Sequence, residues 1–220
     1  LGIDLGTSEL KVVLLDDGQR VVASAAEQVT TSRPQPRWSE QDPASWWAAL
    51  DSAMLRLRAS HPAQLAAVRA IAPTGQMHGA VLLDAAGKVL RPAILWNDGR
   101  SEPQCAALES VPSLRAVTGN AAMPGFTAPK LLWVREHEPA VFARTVRVLL
   151  PKDWLRLGLI GEHVSEMSDA SGTLWLDVGQ RIWSDELLSV CHLGRTWMPR
   201  LVEGSEVSGR AQGGLTPYWR

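Results

Sequence analysis

An acid, a glycine and two hydroxyls fall within five residues at the start of this chain: Asp4, Gly6, Thr7 and Ser8. They lie in Gly2-Ile3-Asp4-Leu5-Gly6-Thr7-Ser8, ahead of the apolar run Leu10 to Leu15. A glycine without a Cβ lets backbone approach a phosphate closely. The N–H groups and hydroxyls of Thr7 and Ser8 can donate to phosphate oxygens. Asp4 can reach Mg²⁺ through water, since that ion keeps much of its hydration shell. The chemistry implied is a grip on a metal-bound polyphosphate such as ATP. The chain has no Gly-x-x-x-x-Gly-Lys-Ser/Thr loop, and a strand follows Ser8 where the dinucleotide Gly-x-Gly-x-x-Gly requires a helix. Taken alone, the segment also fits an ordinary hairpin turn.

Two further polar clusters stand at the ends of apolar runs. Gly75-Gln76-Met77-His78-Gly79 follows one of them. Gln76 and His78 can donate and accept hydrogen bonds, as polyol recognition requires, and Met77 adds an adaptable apolar contact. A buried, satisfied histidine is the competing reading of His78. Trp96-Asn97-Asp98-Gly99-Arg100 places an indole beside an amide, a carboxylate and a guanidinium. That set suits a carbohydrate wall, or else a loop with a surface Asp98–Arg100 pair, which would contribute little. No nucleophile elbow accompanies Ser168, Asp169 and His163, and Cys105 and Cys191 lack metal-ligand spacing.

Positioning these groups calls for a mixed α/β layout. Strands are expected over 1–5, 10–16 and 20–28, the second turned by Asp16-Asp17-Gly18. Asp42 is the expected N-cap of a helix with Pro43 in its first turn, and Trp46, Leu50, Met54 and Leu57 form its apolar face. Further strands are expected over 68–72 and 146–150, with a short hairpin across Ala85-Ala86-Gly87. Helices interrupted by Pro112, Pro124 and Pro129 fill 101–139, and Pro151 opens another. The antiparallel meander and later parallel strands predict a mixed five-stranded sheet with a helical insertion.

Composition limits the remaining options. The chain has 220 residues, 45% of them hydrophobic and 20% charged, which is globular and enough for one substantial core. A net charge of −1 argues against nucleic acid as the partner. The apolar runs are too short to span a bilayer. No charged-then-apolar leader opens the chain, so a cytoplasmic setting with two idle thiols is expected. Leu1 stands where an initiator methionine is absent, which suggests that the extreme N-terminus is missing.

Taken together, these segments resemble the FGGY family of carbohydrate kinases, within the actin, hexokinase and Hsp70 superfamily. Gly2 to Ser8 is similar to the superfamily's first phosphate motif. Arg33-Pro34, Trp38-Ser39-Glu40-Gln41-Asp42-Pro43 and Trp46-Trp47 resemble the family's entry to its first helix. The stretch from Gly125 through Lys130 to His137 resembles the first family signature. Leu149 to Asp153 and Met167 to Thr173 continue the likeness, which covers nearly the whole chain.

The resemblance implies a ribonuclease H-like lobe, residues 1–220, of a two-lobed enzyme. It implies ATP and Mg²⁺ as cofactors and phosphorylation of the 5-hydroxyl of D-xylulose. Gln76-Met77-His78 favours that ketose over glycerol or gluconate. Asp4 takes the Mg²⁺ and phosphate role, Gly6, Thr7 and Ser8 sit under the phosphates, and Met77 and His78 contact the sugar. The family's catalytic base is an aspartate in a glycine-rich turn opening a second, ATP-binding lobe. No such turn precedes Tyr218-Trp219-Arg220. The base is therefore expected beyond Arg220, and this chain by itself is expected to be inactive. L-ribulose, glycerol and gluconate remain alternative acceptors, and a homodimer remains open. A non-catalytic nucleotide switch like actin or Hsp70 is the rival class.

Overall fold

Alternation of apolar and polar residues builds the meander. The computed structural model describes residues 1–211, so Tyr218-Trp219-Arg220 lies outside the described residues. Strand β1 is Gly2–Leu5, β2 is Glu9–Leu15 and β3 is Val21–Gln28, all antiparallel. Ile3, Leu5, Leu10, Val12 and Leu14 turn to one face and are buried. Asp4 is exposed on the other face, with Lys11 opposite it in register. After β4 (Glu40–Gln41), helix α1 (Pro43–Ser60) packs over the apolar face. It begins as expected, with the Asp42 carboxylate accepting from Ala44 N at 3.0 Å and Pro43 in the first turn. Trp46, Leu50, Met54 and Leu57 are all buried.

The short helix α2 (Pro62–Ala66) leads to β5 (Ala72–Gly75), which joins β1 in parallel. This strand starts where the expected 68–72 segment ends. Pro73 does not block it, because among the described residues the β5 edge opposite β1 has no sheet partner. Among the described residues the main sheet therefore has four strands, ordered β3-β2-β1-β5. Next come β6 (Val81–Leu83), β7 (Ala93–Ile94) and β8 (Arg147–Leu149). The strand expected as the fifth member, β8, pairs antiparallel with β6 instead, Leu82 opposite Val148. Gly75 leads straight into the Met77–His78 turn, so the chain leaves the main sheet before it can continue the parallel order.

Between β7 and β8 lies the helical insertion: α3 (Cys105–Glu109), α4 (Leu114–Thr118), α5 (Thr127–His137) and α6 (Pro139–Arg144). Helix α7 (Pro151–Ile160), β9 (Val164–Glu166) and α8 (Met167–Ser171) follow. The hairpin β10 (Leu176–Asp177) and β11 (Ile182–Trp183), helix α9 (Asp185–Val190) and β12 (Arg200–Val202) come last among the described elements. One apolar cluster joins the meander to α1 and α7, and a second joins the insertion to α9. Most tryptophans serve these clusters; Trp46 and Trp175 are fully buried. Among the described residues, no helix is long and apolar enough to cross a membrane.

Candidate functional site

The phosphate-type turn sits where β1 ends and β2 begins. Gly6 is required there by space: a Cβ would lie 2.9 Å from the Glu9 carbonyl oxygen. Ser8 is exposed and Thr7 half-buried. The Thr7 hydroxyl is already engaged, accepting from Trp96 Nε1 at 3.0 Å and donating to Gln76 Oε1 at 3.3 Å. Among the described residues its backbone N–H, and the N–H and hydroxyl of Ser8, have no hydrogen-bond partner and are left for a ligand. Glu9, beside the turn, lies 3.7 Å from Lys11 Nζ, so a cation faces that carboxylate.

Beneath the turn lies a side chain that sequence reasoning assigned no role. Gln41 Nε2 donates to Thr7 O at 2.7 Å and to Thr31 Oγ1 at 2.9 Å. Its Oε1 accepts from Gln76 Nε2 and from Trp46 Nε1, each at 2.8 Å. One buried amide thus ties the phosphate-type turn to the Gln76 segment and to α1. Gln76 is itself buried, and its amide faces this network. Its place in the site is under the pocket, not in its wall.

Met77 and His78 form the rim. Met77 is about half exposed, and Trp96 and Asn97 are exposed on the neighbouring loop. His78 has φ 64°, a left-handed conformation that non-glycine residues seldom adopt. The insertion enforces it: Lys130 Nζ donates to His78 O at 2.8 Å and Thr127 Oγ1 donates to the same oxygen at 3.1 Å. Lys130 also donates to Gly125 O and is fully buried. Burial, with the Asp98 carboxylate opposing it and Arg100 adding to it, pushes the Lys130 ammonium down to about 7. The His78 imidazole lies 4.7 Å from the Phe126 ring, centroid to centroid. Burial, and secondarily Lys130, lowers it to about 4, so it is neutral near pH 7. Its Nδ1 is buried without a well-formed hydrogen bond.

Asp98 departs from the expectation that it lines the wall. It accepts from Ser39 N, Arg100 N and the Arg100 guanidinium and is 2% exposed. The Asp98–Arg100 pair is not a surface pair either. Arg100 is buried, stacks 3.6 Å over Trp38 and reaches Glu40 at 2.7 Å. Asp98 can be buried because the Ser39 N–H and Arg100 pair its carboxylate. Here the indole and Asn97 face out, and the charges hold the loop down.

A cavity of about 400 Å³ opens beside His78, lined also by Gly75, Met77, Phe126, Lys152, Asp169 and Gly172. Lys152 is buried in it, 2.9 Å from Asp153 and 2.8 Å from Asp169, with Glu166 at 3.5 Å. Burial alone would lower the Lys152 ammonium, but attraction from Asp153 and Asp169 raises it on balance, so it stays charged. Burial raises Asp169 despite Lys152. Lys152, Asp153 and Asp169 occur in the Leu149–Asp153 and Met167–Thr173 segments, whose likeness to a family was the only signal that they mattered, and Glu166 lies just ahead of the second.

The chain matches the model of the FGGY family of carbohydrate kinases, N-terminal domain, over residues 1–219. The chain belongs to the FGGY family. It is 56% identical over 220 residues to the xylulose kinase of Escherichia coli, covering all of this chain and 45% of that protein. The solved "xyloylose kinase" of Brucella ovis superposes with a TM-score of 0.98 at 54% identity, over 100% of this chain and 45% of that one. The xylulose kinase of Rhodospirillum rubrum gives a TM-score of 0.91 at 31% identity, over 96% and 44%. The chain thus spans a little under half the length of the FGGY relatives it matches.

Proposed function

We propose that this chain is the first lobe of an ATP-dependent pentulose kinase that converts D-xylulose to D-xylulose 5-phosphate. The observation carrying the proposal is the shared floor: Trp96 and Gln76, beside the sugar-type pocket, hydrogen-bond to the hydroxyl of Thr7 in the phosphate-type turn. The two subsites a kinase must align are linked through one residue. The xylulose kinase names of the similar proteins support D-xylulose over L-ribulose, glycerol or gluconate.

In this reading Met77, His78 and Trp96 hold the ketose. The neutral imidazole orients a sugar hydroxyl by hydrogen bonding, and Trp96 shields one side from water. Asn97 supplies a further polar contact. Gly6 and the Thr7 and Ser8 N–H groups receive the phosphates. Among the described residues, no three acidic, histidine or cysteine side chains gather as a metal cage. A lone exposed Asp4 at the end of β1 fits Mg²⁺, an ion held mainly by water and phosphate oxygens. Bound there with ATP, Mg²⁺ would neutralise charge on the transferring phosphoryl group. Lys11, opposite Asp4 in register, adds a cation to that face.

We place the base that takes the hydroxyl proton, and the rest of the ATP site, in a second lobe, matching the greater length of the relatives. The setting we propose is cytoplasmic. The test is a coupled ADP assay of the two-lobed protein against D-xylulose, L-ribulose, glycerol and gluconate, with the 220-residue chain in parallel. D-xylulose should be preferred at least about tenfold in kcat/KM, a discrimination of about 1.4 kcal/mol. The 220-residue chain should release no ADP above background. Preference for another acceptor, or turnover by that chain, would contradict the reading.

A further inference from the structure

We propose that Gly172 is a positioning residue for the sugar: its missing side chain forms the seat in which the His78 imidazole rests against Phe126. The inference builds on the pentulose pocket proposed above. A Cβ at Gly172 would lie 2.3 Å from both His78 Cε1 and Nδ1, far inside contact distance. Backbone conformation does not explain the glycine, since φ −73° and ψ 2° suit any residue. Close approach does. Phe126 bounds the ring 4.7 Å away, and the His78 backbone is fixed by Lys130 and Thr127. A methyl at residue 172 therefore cannot push the backbone aside. It must swing the imidazole about its side-chain torsions, and both Gly172 and His78 line the cavity.

The consequence is specific. Moving the imidazole by an ångström spoils the alignment of one sugar hydroxyl, and such a misplacement costs up to about 100-fold in rate. ATP contacts, on the far side of the Gln76 floor, stay in place.

The test is a four-way comparison in the full two-lobed enzyme: wild type, Gly172→Ala, His78→Ala and the double variant. KM for D-xylulose, KM for ATP, kcat and the melting temperature are measured for each. Gly172→Ala should raise KM for D-xylulose by about tenfold or more, with KM for ATP within about twofold. In the His78→Ala background the same substitution should have no effect beyond about twofold, the usual spread for independent sites. A Gly172→Ala effect that persists without the imidazole, or no effect with it present, overturns the seat. If Gly172→Ala fails to fold, the double variant must fold, because its obstructing ring is gone; failure of both also overturns it. If His78→Ala leaves KM for D-xylulose unchanged, the pentulose pocket falls, and the seat falls with it.

Discussion

Replacing Gln41 by alanine removes the amide on which both subsites rest, and the size of the effect follows from its four hydrogen bonds. Two of its partners are acceptors, Thr7 O and Thr31 Oγ1, at partly buried positions that tolerate a missing donor. The other two are donors, Gln76 Nε2 and Trp46 Nε1, on residues 7% and 0% exposed. A buried donor left unpaired costs about 1–3 kcal/mol, so two give about 2–6 kcal/mol. A water entering the vacated space recovers part of this. The expected net loss is about 2–4 kcal/mol, or roughly 4–16 °C in melting temperature at about 2–4 °C per kcal/mol for a domain of this size. The activity should change in a recognisable way. Thr7 belongs to the phosphate turn and Gln76 to the sugar segment, so KM for ATP and KM for D-xylulose should rise together. Thermal unfolding and coupled ADP assays on the two-lobed enzyme measure both. A melting shift below about 1 °C, well under the smallest shift expected from one orphaned donor, refutes the argument, as does movement of only one KM.

Gly6→Ala places a methyl 2.9 Å from the Glu9 carbonyl oxygen and forces the turn open; KM for ATP should rise about tenfold with KM for D-xylulose unchanged. Trp96→Phe keeps an aromatic wall but deletes the donor to Thr7; its stability cost should be about 0.5–1.5 kcal/mol by denaturant unfolding, the net worth of one hydrogen bond. Lys130 predicts a pH signature. Its ammonium lies near 7 in the fold against 10.5 when unperturbed, so between those values the unfolded chain holds a proton that the native lobe lacks. Stability should therefore rise with pH across that window, by at most about 1.4 kcal/mol per pH unit from this group. Lys130→Met should flatten that component between pH 7.5 and 9, and an identical pH slope in the variant would rule it out.

Local signals revealed much of this lobe. The Asp42-Pro43 helix start, the apolar face from Trp46 to Leu57 and the three-stranded meander follow from capping and periodicity, which act over a few residues. Strand partnership did not follow. Val148 reads as a strand by composition, but its pairing with Leu82 depends on where the chain goes after Gly75. The site divides the same way. Gly6, Met77, His78 and Trp96 were legible as residues able to meet a ligand. Gln41 was not, because its importance lies in joining Thr7, Thr31, Trp46 and Gln76, up to 35 positions away. Asp98 misled because a carboxylate looks alike in sequence whether it faces water or an arginine. Gly172 stood inside the Met167–Thr173 likeness without a role of its own, because a glycine records the absence of atoms.

The buried amide floor also bears on a hazard common to kinases, the transfer of phosphate to water. Thr7 is held by Gln41 and Trp96, side chains of this same chain. Hydrogen bonds made between protein groups do not by themselves report whether an acceptor is bound. Under the function proposed above, protection against futile hydrolysis would then fall to the second lobe, which carries the proton-accepting group.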